Sequence, residues 1–171
     1  MPKRRVKRHS VVQPLEESYR LIPLTQGQNA IVDVGDFEWL SKFNWYAYWH
    51  ENTNSFYAAK GDKLEAMHRF ILGCKEEVDH ADRNTLNNRR NNLRKATKAQ
   101  NMHNRKKLRT NTSGFIGVYW YQGWKSKIAN NGKRHYLGIF SSPEEAARAY
   151  DEMAKKLHGE FAFLNFPDLA V

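Results

Sequence analysis

The sequence predicts an α+β chain of small antiparallel sheets and short helices. Three observations predict it. Two aromatic runs, Trp45 to Trp49 and Phe56 to Ala59, flank the polar Asn52-Thr53-Asn54, a hairpin pattern. Strand-like segments between Phe115 and Phe140 lead into a capped helical run. Between these, Val78 to Arg105 reads as strand, long polar loop, short strand and helix.

The elements follow in order. Tyr19 to Leu24 is the first strand, and Pro23 places it at a sheet edge. The turn Gln26-Gly27-Gln28 leads to a strand at Ala30-Ile31-Val32. After the aromatic hairpin, a helix is expected over Leu64 to Leu72, stopped by Gly73. Thr97-Lys98-Ala99-Gln100 is a capping-box pattern, which puts Asn101 in the first turns of a helix. A three-stranded meander follows: Phe115 to Tyr121, Trp124 to Ala129 and His135 to Phe140, with a turn at Asn130-Asn131-Gly132. Ser142 then caps a helix, Pro143 takes its first turn, and Glu145 closes the box. Ala146, Tyr150, Met153 and Leu157 give that helix one apolar face, and Gly159 ends it.

Length and composition set the limits. The chain has 171 residues, room for one ordinary domain or two small ones. Hydrophobic residues at 40% and aromatics at 13% supply real cores, which excludes global disorder. No apolar run is long enough to cross a bilayer. No apolar stretch follows the basic Met1-Pro2-Lys3-Arg4-Arg5, so a secretory signal is not expected. The single cysteine, Cys74, forms no internal disulfide and no Cys-rich zinc site, and fits a reducing compartment.

Charge points to the partner. The formal net charge is +10, and a surplus of this size favours a polyanion, above all nucleic acid. Residues 3–8 carry five basic side chains, expected to form a disordered tail. Residues 89–109 carry nine Lys or Arg and no acid. Within that run Arg94, Lys98 and Lys106 are expected at phosphates.

The densest chemistry lies between Val78 and Arg105. Asp79 and Asn101 both offer oxygen atoms, which suit a hard cation such as Mg²⁺, with Mn²⁺ as the alternative. His80 faces away from Asp79 on an extended strand, and its ordinary pKa suits proton abstraction from water. An asparagine carbonyl fixes the imidazole, with Asn92 the first candidate and Asn88 the second. Arg105, one helical turn past Asn101, is expected at the same phosphate. His68 reads as a hydrogen-bonded core or interface histidine, with phosphate contact as the alternative. His103 is expected to face away from Asn101. Trp39, Trp45 and Trp49 read as packing residues.

Asp79-His80, the stretch Asn87 to Arg94, and Gln100-Asn101 resemble the HNH endonucleases of bacteriophages and mobile introns. The segment Met67 to Gly73 resembles the lead-in to that motif, and the likeness covers roughly residues 20–108. It implies a ββα-metal fold, with His80 as general base and Asp79 and Asn101 as metal ligands. It also implies hydrolysis leaving a 5′-phosphate and a 3′-hydroxyl. The final histidine is replaced by Asn101, as in the H-N-N branch, which is similar to phage homing enzymes, some of which nick one strand. Asn87 stands where relatives often carry Asp.

Ser113 to Pro167 resembles the AP2 DNA-binding domain, a three-stranded antiparallel sheet backed by a helix. Gly117-Val118, Trp124, Tyr136-Leu137-Gly138, Phe140, Glu145 to Asp151, Gly159 and Leu164 to Pro167 carry the likeness. Tyr119, Tyr121, Arg134 and Tyr136 align with its DNA-facing positions. Alternation adds Lys125 and Lys127 to that face, opposite Trp124 and Ile128. Plant members carry Arg where Tyr119 and Tyr121 stand, so their guanine readout does not carry over.

The expected organisation is a basic tail at 1–18, a β-rich region at 19–65, a nuclease core at 66–110 and an AP2-like domain at 111–171. The expected partner is double-stranded DNA, with no membrane and no small-molecule substrate, and the expected state is a monomer. By resemblance the chain is phage- or prophage-encoded and acts in the bacterial cytoplasm. The rival reading is a catalytically inactive DNA-binding regulator; RNA binding or cleavage is a third.

Overall fold

The computed structural model describes residues 8–15, 17–103, 111–130 and 132–167. The chain divides into two compact units, residues 1–97 and 98–171.

In the first unit, β1 (Tyr19–Pro23) pairs antiparallel with β2 (Asn29–Asp33). Gln26 and Gly27 take positive φ in the turn between them. Gln13 holds Leu21 from outside: Oε1 accepts from its N–H at 2.9 Å and Nε2 donates to its carbonyl at 2.8 Å. Arg8, in the segment read as a tail, donates to Trp45 O at 2.8 Å. A helix not foreseen from the sequence, α1 (Val34–Leu40), follows β2 directly.

The aromatic hairpin forms as β3 (Trp45–His50) and β4 (Ser55–Lys60), with Asn54 left-handed in its turn. β5 (Glu65–Ala66) adds to β4, so α2 (Met67–Leu72) starts later than its pattern suggests. Two residues of the expected helix are claimed by the sheet. Gly73, at φ 59°, caps α2 as expected. β6 (Glu77–His80) and β7 (Leu93–Ala96) then pair antiparallel. One core joins all of this: Leu24, Val32, Leu40, Trp45 and Met67 pack with Val78 and Leu93. The first five are fully buried, each contributing about 1.5–3 kcal/mol for its side chain. This core therefore runs across the sequence boundary drawn at residue 65.

The second unit begins with α3 (Lys98–His103). β8 (Val118–Trp120), β9 (Trp124–Asn130) and β10 (Lys133–Phe140) form an antiparallel sheet in the order β10-β9-β8. β8 is shorter than expected because the Asn165 side chain takes both backbone groups of Ile116. Asp151 in turn accepts from the Asn165 and Phe166 N–H groups at 2.8 Å. α4 (Pro143–His158) packs on the sheet through Ala146, Ala147, Tyr150 and Ala154. Its cap forms as expected: Ser142 Oγ accepts from Glu145 N at 3.2 Å, while Glu145 reaches back to Ser141 N.

Gly117 is where helix and sheet meet most closely. Its φ is 76°, and a β-carbon there would overlap the Tyr150 ring and lie 2.7 Å from Lys127 O. Gly117→Ala is therefore expected to destabilise the second unit by roughly 2–4 kcal/mol. Thermal unfolding checks this; an unchanged midpoint would mean α4 does not sit as described.

Candidate active site

Asp79 and His80 are neighbours on β6 and point to opposite faces of the hairpin. Each is only 4% exposed. Arg94 lies directly across from Asp79 on β7, and its guanidinium donates to Asp79 Oδ2. Arg94, expected at a DNA phosphate, is here the countercharge of a buried carboxylate.

His80 shares a face of β6 with the core residue Val78 and lies directly across from the core residue Leu93, and its ring joins a cluster with Tyr57 and His68. Its ring centroid is 5.1 Å from that of His68 and 6.1 Å from that of Tyr57, both edge to face. Burial pushes the His80 pKa down to about 4, against the upward pull of Asp82, Asp79 and Asn88. Burial likewise lowers His68 to about 3, helped by His80 and Arg69. Both rings are therefore neutral at pH 7.

Buried neutral histidines make stability depend on pH. Below pH 6.5 the unfolded chain takes up protons that the folded rings refuse, so stability falls with pH until about 4 and 3 are passed. The metal-free protein is expected to lose on the order of 1 kcal/mol per pH unit for each histidine in this window. Denaturant unfolding between pH 7 and 4.5 checks the slope; His68→Gln should reduce it, and a flat profile would contradict the burial of both rings.

The two candidate amides separate by position. Asn92 is spent on the loop: Oδ1 accepts from Asp82 N at 2.9 Å, and Nδ2 donates to Asp82 Oδ1 at 2.9 Å and Asn87 O at 2.8 Å. Asn88 is fully buried and donates to Leu86 O at 3.0 Å. Its Oδ1 falls short of full hydrogen-bond geometry, yet the amide favours the protonated form of His80. Asn88, the second candidate, is thus the amide beside the imidazole.

The loop is clamped to the rest of the unit. Ile31 N donates to Leu86 O at 2.8 Å, and Asn88 N donates to Ile31 O at 2.7 Å. Arg89 and Arg90 pair with Asp33 and Asp36 at 3.0 and 2.8 Å. The first two members of the basic run are thus structural. Asp82, Tyr57 and His68 were not foreseen as neighbours of His80. Asp82-Arg83-Asn84 carries a local signal for Asp82, since Asn84 N donates to Asp82 Oδ1 and Arg83 takes φ 61°.

Asn101 lies on α3, in the second unit. Lys98 opens that helix and is exposed. Arg105, Lys106 and the side chain of His103 lie outside the described residues. Among the described residues, no group of three or more His, Cys, Asp or Glu side chains forms a metal cluster. Asp79 on β6 offers carboxylate oxygens of the kind a hard cation takes, but its Oδ2 is held by Arg94, so a cation there competes with the guanidinium. A Mg²⁺ site of this kind needs only one or two protein oxygens, because water and phosphate supply the rest.

On the second unit, the six residues expected at DNA fall on one side of the sheet. Register aligns Tyr119 with Lys125, and Tyr136 with Lys127, while Arg134 stands opposite Ala129. Lys125 Nζ lies 4.5 Å from the Tyr121 ring and Lys127 Nζ 4.4 Å from the Tyr119 ring. Ser126 and Ile128 face α4 instead.

A β-hairpin presenting Asp-His, an asparagine loop and a following Asn-bearing helix are the parts of an HNH nuclease. Residues 74–103 match the family described as HNH endonuclease. The chain is 33% identical over 157 residues to an HNH endonuclease of Acanthamoeba polyphaga mimivirus, covering 86% of this chain and 80% of that one. Protein 3.8 of Escherichia phage T7 is 35% identical over 88 residues, covering 50% of this chain and 72% of its own length. An ethylene-responsive transcription factor of Arabidopsis thaliana is 41% identical over 75 residues, 41% of this chain but 29% of that protein. No solved structure matches the chain. The chain belongs to the HNH endonuclease family and carries an AP2-like region.

Proposed function

We propose that the chain is a metal-dependent endonuclease of the phage homing type that nicks duplex DNA, with His80 as general base. The observation that carries this reading is the pair Asp79-His80: a buried carboxylate and a neutral imidazole, adjacent on one strand and aimed to opposite sides. His80 takes a proton from the attacking water, and Asn88 steadies the ring while it does so. Asn92 keeps the loop closed around Asp82, which stabilises the imidazolium that forms. Asp79 and Asn101 would hold a divalent cation, Mg²⁺ in the first instance, which neutralises charge on the phosphate and the leaving oxygen. Arg105 is assigned to the same phosphate. The products are a 5′-phosphate and a 3′-hydroxyl.

The AP2-like sheet supplies affinity. Lys125, Lys127 and Arg134 contact phosphates, releasing counterions. Tyr119, Tyr121 and Tyr136 contact sugar, phosphate or thymine methyl groups, while Lys98 and Lys106 extend the basic track. Replacing Lys125 and Lys127 together with alanine should lower the slope of log affinity against log salt by about two. An unchanged slope would place the DNA elsewhere.

Plasmid relaxation tests the whole reading. Nicking that requires Mg²⁺, stops in EDTA and disappears in His80→Ala supports it. The burial of His80 favours the other reading, an inactive DNA-binding regulator. Equal inertness of wild type and His80→Ala, with both binding DNA, would establish that alternative.

A further inference from the structure

We propose that the outward face of the β3–β4 hairpin holds the DNA strand beside the scissile phosphate. The proposal rests on the reading of His80 as the base. Alternation gives the hairpin two faces. Trp45, Ala47, Phe56 and Ala58 join the core. Tyr48, His50 and Tyr57 lie on the other face, and all three are half-buried. Tyr48 and Tyr57 are direct cross-strand partners.

Ring contacts link this face to the candidate active site. Centroids are 6.3 Å apart for Tyr48 and His50, 5.8 Å for His50 and Tyr57, and 6.1 Å for Tyr57 and His80. The strip is thus continuous with the imidazole assigned to catalysis. His50 Nδ1 lies 3.2 Å from Thr53 Oγ1, which holds the ring in place.

The chemistry selects the occupant. Flat rings with hydroxyl and imidazole edges stack on bases or sugars and donate to phosphate oxygens, as contacts to a locally opened strand require. At face positions 46, 48, 50, 55, 57 and 59 the only aliphatic side chain is the buried Ala59, so the face presents rings and hydroxyls. Those positions carry no acid either, which suits a polyanion.

Photo-crosslinking of the full chain tests this. The probe is a duplex with a mapped cut, carrying 5-iododeoxyuridine at successive positions around it. The expected result is crosslinking of Tyr48 or Tyr57 to nucleotides next to the cut, with KM for DNA raised about tenfold in the double variant Tyr48→Ala, His50→Ala. Crosslinks confined to other segments, with KM unchanged in a double variant that melts like wild type, would overturn the proposal. The two failures are distinguishable. Full nicking by His80→Ala would remove the active-site reading itself. Loss of nicking in His80→Ala with an unchanged KM in the hairpin variant would remove only the strand path.

Discussion

Replacing His80 with alanine is expected to slow Mg²⁺-dependent nicking by about 10²–10⁴-fold while DNA affinity is retained. In the proposed role His80 must be neutral before it acts, and burial keeps the ring neutral well below pH 7. A base with a pKa of about 4 is available but weak. An anionic phosphate arriving beside it would raise that value towards neutrality, as Asp82 and Asp79 already do in part. With His80 4% exposed, catalysis also requires that substrate displace whatever covers it. Single-turnover nicking and equilibrium binding, measured on the same preparation, separate the chemical step from affinity. Equal rates for wild type and variant would remove His80 from the chemistry. A parallel loss of affinity would mean that the substitution had disturbed the ring cluster with Tyr57 and His68.

Arg94→Met is expected to destabilise the metal-free protein and strengthen divalent-ion binding. Breaking one side of a buried ion pair leaves a carboxylate uncompensated, at a cost of about 3–5 kcal/mol. A cation that binds Asp79 restores the balance, so Mg²⁺ should raise the melting temperature of the variant more than that of wild type. Calorimetric titration with Mn²⁺ should show tighter binding to the variant, and Asp79→Asn should abolish that binding in either background. Equal metal stabilisation of both proteins would mean that the ion does not reach Asp79.

Strong local patterns were legible in the sequence. The β3–β4 hairpin follows from alternation and a polar turn, and α4 from a capping box at one end and Gly159 at the other. α1 was not legible, because Val34-Gly35 is a poor helix start and its support is distant. Arg90, far from Asp36 in the sequence, pairs with it at 2.8 Å. The same distance effect governs the site. The basic run 89–109 read as a DNA face, yet register sets Arg94 against Asp79, and Arg89 and Arg90 clamp the loop. From the sequence, Asn92 ranks ahead of Asn88; hydrogen bonds inside the loop tie the Asn92 side chain to Asp82 and Asn87. Alternation separated His80 from Asp79, but the burial of His80 comes from Tyr57 on β4 and His68 on α2. That Lys125 and Lys127 share one face of the second unit's sheet was legible because period two assigns sheet faces directly, whereas Tyr119, Tyr121, Arg134 and Tyr136 come from the AP2 resemblance.

The proposed function depends most on Asp79 and Asn101 holding one cation. Paramagnetic broadening by Mn²⁺, followed in the NMR spectrum of the full chain, tests it most directly. Substoichiometric Mn²⁺ should broaden the Asn101 side-chain amide together with the backbone signals of Asp79 and His80, and Mg²⁺ should restore all three. Broadening of Asp79 while the Asn101 amide stays sharp would contradict it.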